Sequence, residues 1–190
     1  MNWNLPNQLT VSRFIFTIIF TLLFVQEGFW STILATAMFV LATLTDFLDG
    51  HLARKRKIET GFGKIMDPIA DKFLMLSAFY LFAKFDLIED WMFWVIAFRE
   101  ALVTTIRLVA VKKGRVLAAE SMGKAKTIIQ SAAVFTILLY IECLEALPAS
   151  TDLFVGWEKI NTIVMYVVVA LTVVSGITFL KNNSRAGQTH

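Results

Sequence analysis

Long apolar runs, broken by short polar stretches, govern what this chain can fold into. The runs Trp30–Leu48 and Ile69–Phe85 approach the ~20 residues that a helix needs to cross a hydrocarbon core. They are continuous rather than alternating, which argues against a membrane β-barrel. Of the 190 residues, 57% are hydrophobic, more than the ~45–50% of ordinary soluble domains. The expected fold is all-α: a polytopic membrane protein with six transmembrane helices in one domain, residues 1–190, and a short N-terminal interfacial segment.

That segment is Met1–Pro6, with Trp3 at headgroup level. The first helix carries Asn7, Thr10 and Arg13 on one side and runs to Val25. The second is expected over Trp30–Leu48, with a loop at 49–66. The third runs from Pro68 to Phe85, the fourth from Trp91 to Val111, and the fifth from Lys124 to Glu145. After a loop at Leu147–Trp157, the sixth spans Lys159–Leu180, and Lys181–His190 is a polar tail. The single cysteine, Cys143, excludes an internal disulfide. No cleavable leader is expected, because no small-residue cleavage site follows the first apolar run.

Lys and Arg fall unevenly. The 49–66 loop holds Arg54, Lys55, Arg56, Lys57 and Lys64, and 112–126 holds Lys112, Lys113, Arg115, Lys124 and Lys126. The tail adds Lys181 and Arg185, whereas the opposite turns carry only Lys84 and Lys159. Positive-inside counting therefore places both termini, and everything between Asp46 and Asp71, on the cytoplasmic side of a cell membrane.

Within 46–71 lie four carboxylates in two pairs. Asp46 and Asp49 are three residues apart, and Asp67 and Asp71 are four apart, so each pair shares one face of a helix. A carboxylate in a bilayer costs about 2.5–3.5 kcal/mol, so four of them need an offset. Divalent cations held by carboxylate oxygens supply one, and two such ions form a phosphate clamp. Helix capping is the plain alternative: Asp67 before Pro68 reads as an N-cap and Gly50 as a helix end, but capping leaves Asp46 and Asp71 unexplained. Arg54 has the planar fork that suits phosphate, while Lys55, Arg56 and Lys57 read as orientation charges. Gly50, Ala53 and Gly63 are small enough for close approach of a nucleotide or of another helix.

Asp46, Asp49, Gly50, Ala53, Arg54, Gly63, Asp67 and Asp71 together match the signature of the CDP-alcohol phosphotransferase family, which this chain resembles. Eight positions, each at a frequency near Gly's ~7%, match by chance about once in 10⁹ windows. The resemblance implies transfer of a phosphatidyl group from CDP-diacylglycerol to a hydroxyl acceptor, with release of CMP. It implies that Asp46, Asp49, Asp67 and Asp71 bind Mg²⁺ or Mn²⁺, two ions in all, with Asp71 also the general base. It further implies that Gly50, Arg54 and Thr60 contact the CDP-linked donor. Asn7 and Thr10 are expected at the cytidine or pyrophosphate, with helix packing as the equal alternative.

Three further stretches resemble the branch of the family whose acceptor is glycerol 3-phosphate. They are Leu5–Thr10 with Arg13, Arg99-Glu100 with Arg107, and Gly123-Lys124 with Lys126-Thr127 and Gln130. Charge supports that branch, because Arg107, Arg115 and Lys126 lie at the aspartate end of the fourth and fifth helices, where a dianionic acceptor needs cations. Arg115 and Lys126 read equally as orientation charges, Arg107 is alternatively a partner of Glu100, and Arg99 reads as structural. Inositol phosphate or serine are the alternative acceptors. The expected partners are the two substrates, the lipid bilayer and a second copy in a homodimer, with no nucleic acid. A membrane prenyltransferase lacks the Gly-x-x-Ala-Arg continuation, and a cation transporter would carry acids through the whole bilayer depth.

Overall fold

In a hydrocarbon environment the backbone must satisfy its own hydrogen bonds, so apolar runs of this length become helices. The computed structural model describes residues 5–56, 61–112, 121–147 and 151–186, with side chains at 11–45, 69–70, 72–110, 126–147 and 154–183. The described residues form six helices and no strand: α1 (Leu5–Val25), α2 (Phe29–Arg56), α3 (Gly61–Lys84), α4 (Asp90–Lys112), α5 (Ser121–Ala146) and α6 (Thr151–Ala186). Residues 1–4, read as interfacial, lie outside the described residues.

The helices are longer than their apolar runs, and several expected boundaries are corrected. The loop expected at 49–66 is corrected on both sides, because α2 continues through Gly50 to Arg56 and α3 begins at Gly61, and 57–60 lie outside the described residues. One glycine costs a helix only about 1 kcal/mol, and the Leu-Ala-Arg-Lys-Arg run beyond it favours continuation, with cations near the C-terminus. Gly50 is therefore no helix end, and Asp67 and Pro68 lie inside α3 rather than capping it. The sixth helix starts at Thr151, inside the expected loop, and runs to Ala186 through most of the expected tail. Thr151-Asp152 is a favourable helix start, and Lys181 and Arg185 suit its end.

Short turns make neighbouring helices antiparallel. Between α1 and α2 the left-handed residues Glu27 and Gly28, with φ of 47° and 121°, reverse the chain in three residues. After α3 the Leu87 amide donates to the Phe82 carbonyl at 2.8 Å and the Asp86 amide to that of Ala83 at 3.1 Å, with Asp86 left-handed. That is a Schellman closure. Helix α3 is the hub, packing against α1, α2, α4 and α5, while α6 packs against α4 and α5. Phe20, Phe39, Phe79, Phe82, Ile137, Leu138 and Met165 form part of one shared core.

The outer surface is apolar too. Leu22, Phe98, Ile128 and Ile163 are 60–70% exposed. A surface of this kind suits lipid rather than water. Among the described residues, Lys126–Ala146 and Phe154–Asn183 are long and apolar enough to cross a membrane.

Candidate active site

The connection at 57–60 brings the two aspartate pairs to one end of the bundle. Asp46 lies ten residues before Arg56 and Asp71 ten residues after Gly61, each about 15 Å along its helix from the connection. Asp49 lies seven residues before Arg56 and Asp67 six after Gly61, about 9–11 Å along. The pairs are thus mirrored in depth on two adjacent, antiparallel helices. Both lie within helices, as the shared-face spacing requires.

Gly50, Ala53 and Arg54 occupy the last two turns of α2, Gly63 the first turn of α3, and Asn7 and Thr10 the first two turns of α1. The side chains of these residues and of the four aspartates lie outside the described ones, as do residues Thr60 and Arg115 entirely. Arg107 and Lys126, the described cations expected at the acceptor, have different partners. Arg107 is exposed, with its guanidinium 5.4 Å from the centre of the Phe179 ring. Lys126 is buried and ion-paired with Glu100. Arg107 is not the partner of Glu100, from which it is seven residues removed on α4.

Directly after Asp71 the structure reveals a polar network. Lys72 Nζ donates to Glu100 Oε2 at 2.5 Å, and Lys126 Nζ donates to Glu100 Oε1. Arg99 Nη1 donates to the same oxygen at 3.2 Å, and Arg99 Nη2 donates to Ser175 Oγ at 2.9 Å. Arg99 is thus bonded within the bundle, as its mid-helix position suggests. Its stem passes Gly176 so closely that a Cβ there would sit 3.2 Å from Arg99 Cγ. Glu100 is only 4% exposed, so its carboxylate depends on these partners in place of water. A cavity of about 20 Å³ beside Lys72, Glu100, Lys126 and Gln130 has room for a single water. Among the described residues three cations surround one carboxylate here, so the described network carries excess positive charge, with Lys72 directly following Asp71 in sequence. Lys72 was missed in the sequence reading, although a basic residue inside an apolar run is itself a signal.

A larger cavity of about 620 Å³ opens at the opposite end, where Asp86, Glu89, Asp90 and Glu158 line it. Its lining carries four acids and no cation, the wrong sign for an anionic phosphate donor.

A family model described as CDP-alcohol phosphatidyltransferase matches residues 3–178. The chain belongs to this CDP-alcohol phosphatidyltransferase family. It is similar over nearly its whole length to curated family members. A CDP-diacylglycerol–glycerol-3-phosphate 3-phosphatidyltransferase of Bacillus subtilis (strain 168) is 36% identical over 98% of each chain. A protein of the same name from Rickettsia typhi is 32% identical over 94% of this chain and 96% of the relative. A "probable phosphatidylglycerophosphate synthase" of Mycobacterium tuberculosis is 36% identical over 93% of this chain and 80% of its own length.

Proposed function

We propose that this family member transfers the phosphatidyl group of CDP-diacylglycerol to sn-glycerol 3-phosphate, giving phosphatidylglycerophosphate and CMP. The observation that carries this reading is the eight-position signature Asp46–Asp71, set on two helices that hold its acid pairs at matching depth. The names of the full-length relatives support the donor and the acceptor. The positive network beside Asp71 suits an anionic acceptor.

Four carboxylates are hard oxygen donors, and their mirrored placement fits divalent ions. Asp46, Asp49, Asp67 and Asp71 would hold two Mg²⁺ or Mn²⁺ ions, which when bound supply neutralisation of the donor pyrophosphate. Arg54 and the small residues Gly50, Ala53 and Gly63 receive the CDP moiety, with Thr60, Asn7 and Thr10 completing its contacts. Arg107, Arg115 and Lys126 receive the acceptor phosphate, and Lys126 is shared with Glu100. The acceptor's primary hydroxyl attacks the lipid-side phosphorus in line. Asp71 takes its proton as the new P–O bond forms, and the bond to CMP breaks with its electrons on the departing phosphate oxygen.

In this reading all six helices span the cell membrane. The basic residues at the ends of α2, α4 and α6 and the start of α5 put the aspartate end on the cytoplasmic side. The protein is a homodimer, to be checked by its mass in detergent. The deciding experiment is CMP release from labelled CDP-diacylglycerol, with and without Mg²⁺ or Mn²⁺, against glycerol 3-phosphate, glycerol, serine and inositol phosphate. Release only with glycerol 3-phosphate and metal supports the assignment. A better rate with another acceptor keeps the family and changes the substrate.

A further inference from the structure

Arg13 is 1% exposed, buried as the core is, yet its guanidinium is permanently charged. A buried cation of this kind needs an anion beside it. Helix α1 packs against α2 and α3 and, among the described residues, against no other helix. It carries no acid itself, and the acids of α2 and α3 are Asp46, Asp49, Asp67 and Asp71 alone.

Ring contacts set the register of these three helices. Phe20 on α1 meets Phe39 on α2, with ring centres 5.8 Å apart. The two helices are antiparallel, so seven residues back from Phe20 is Arg13 and seven on from Phe39 is Asp46. Phe14 meets Phe73 on α3 at 5.5 Å, and Phe24 meets Phe82 at 5.7 Å, so α1 and α3 run parallel. One step back from the Phe14–Phe73 contact pairs Arg13 with Lys72, directly after Asp71. The backbone of Arg13 therefore lies level with Asp46 on one neighbour and Asp71 on the other. Its Cα–Cβ bond leans toward the N-terminus of α1, the aspartate end.

We infer that Arg13 is a positioning residue of the aspartate site, the buried counter-charge that holds the Asp46 or Asp71 carboxylate in place. This rests on the reading of those acids as the site of the proposed transfer. Without metal, Arg13 offsets the mutual repulsion of four carboxylates. With metal bound, the carboxylates are already compensated and the same cation is partly repelled. Arg13 therefore keeps the empty site assembled and competes with the ions for charge.

The test uses the full chain in detergent. Unfolding midpoints in EDTA and in saturating Mg²⁺ are measured for wild type, Arg13→Gln, Arg13→Lys, Asp46→Asn, Asp71→Asn and the two double variants with Arg13→Gln. Arg13→Gln should lower the midpoint by about 3–12 °C in EDTA and by clearly less in Mg²⁺. Arg13→Lys should recover part of the loss. The loss should be non-additive with Asp46→Asn or Asp71→Asn. By linkage, half-saturating Mg²⁺ should fall roughly 5-fold or more in Arg13→Gln while turnover at saturation also falls. Equal losses in EDTA and Mg²⁺, or additivity with both aspartate variants, would overturn the inference. CMP release by wild type is scored separately, so a non-additive pair without CMP release would refute the proposed activity and leave the counter-charge standing.

Discussion

Lys72 Nζ lies 2.5 Å from Glu100 Oε2, and this contact ties α3, one residue past Asp71, to the middle of α4. Lys126 and Arg99 close on the other Glu100 oxygen, so a single carboxylate holds residues from three helices. The helix of the proposed general base and one cation of the proposed acceptor pocket, Lys126, are thus mechanically linked.

Glu100→Gln should test that link. It leaves two buried cations, Arg99 and Lys126, and the partly buried Lys72 with a neutral partner, and breaking one side of a buried pair costs about 3–5 kcal/mol. The expected outcome is a lower unfolding midpoint together with lower turnover, because Lys72 and Lys126 lose their shared anchor. An unchanged midpoint would show that Glu100 is dispensable to the bundle.

Asp46→Asn and Asp67→Asn should each abolish CMP release while the chain stays folded in detergent. Each removes an anionic oxygen from the proposed clamp and leaves donor charge uncompensated. The check is a titration with Mg²⁺ and Mn²⁺. Turnover near that of wild type at limiting metal would remove these residues from the clamp.

Asp71→Asn should lower turnover by about 10²–10⁴, the usual contribution of a general base, and retain measurable affinity for CDP-diacylglycerol. Donor binding as weak as in Asp46→Asn would make Asp71 a ligand only. A rate equal to wild type across the pH range would exclude it from the reaction.

Arg107→Ala is the cleanest probe of the acceptor. Arg107 contacts the Phe179 ring and lies outside the Glu100 network. Loss of a charged contact worth about 1.5–3 kcal/mol should raise the Michaelis constant for glycerol 3-phosphate roughly ten- to a hundred-fold. Turnover at saturation and the constant for the donor should change little. Lys126→Ala should show the same acceptor effect plus a lower unfolding midpoint, because Lys126 also serves Glu100. Normal acceptor constants in Arg107→Ala, Arg115→Ala and Lys126→Ala would place the phosphate elsewhere.

Much of this protein was legible in its sequence, because hydropathy and spacing act locally. Apolar runs too long and too continuous for anything but helices account for the six helices of the described residues. The spacing of Asp46, Asp49, Asp67 and Asp71 marked their helices and the family signature. The helices run beyond their expected ends at Asp49–Arg56, Gly61–Asp67 and Thr151–Glu158, outside the apolar runs. Periodicity cannot see where a helix outruns its apolar stretch. Only the tertiary structure decided which charges meet. Glu100 and Lys126 are 26 residues apart in sequence, and Arg99 and Ser175 are 76 apart. No local pattern encodes such pairs, because they follow from which faces of α3, α4, α5 and α6 turn toward one another. The same holds for Arg13. The sequence places a cation in an apolar helix, and only the packing of α1 on α2 and α3 sets it level with Asp46 and Asp71.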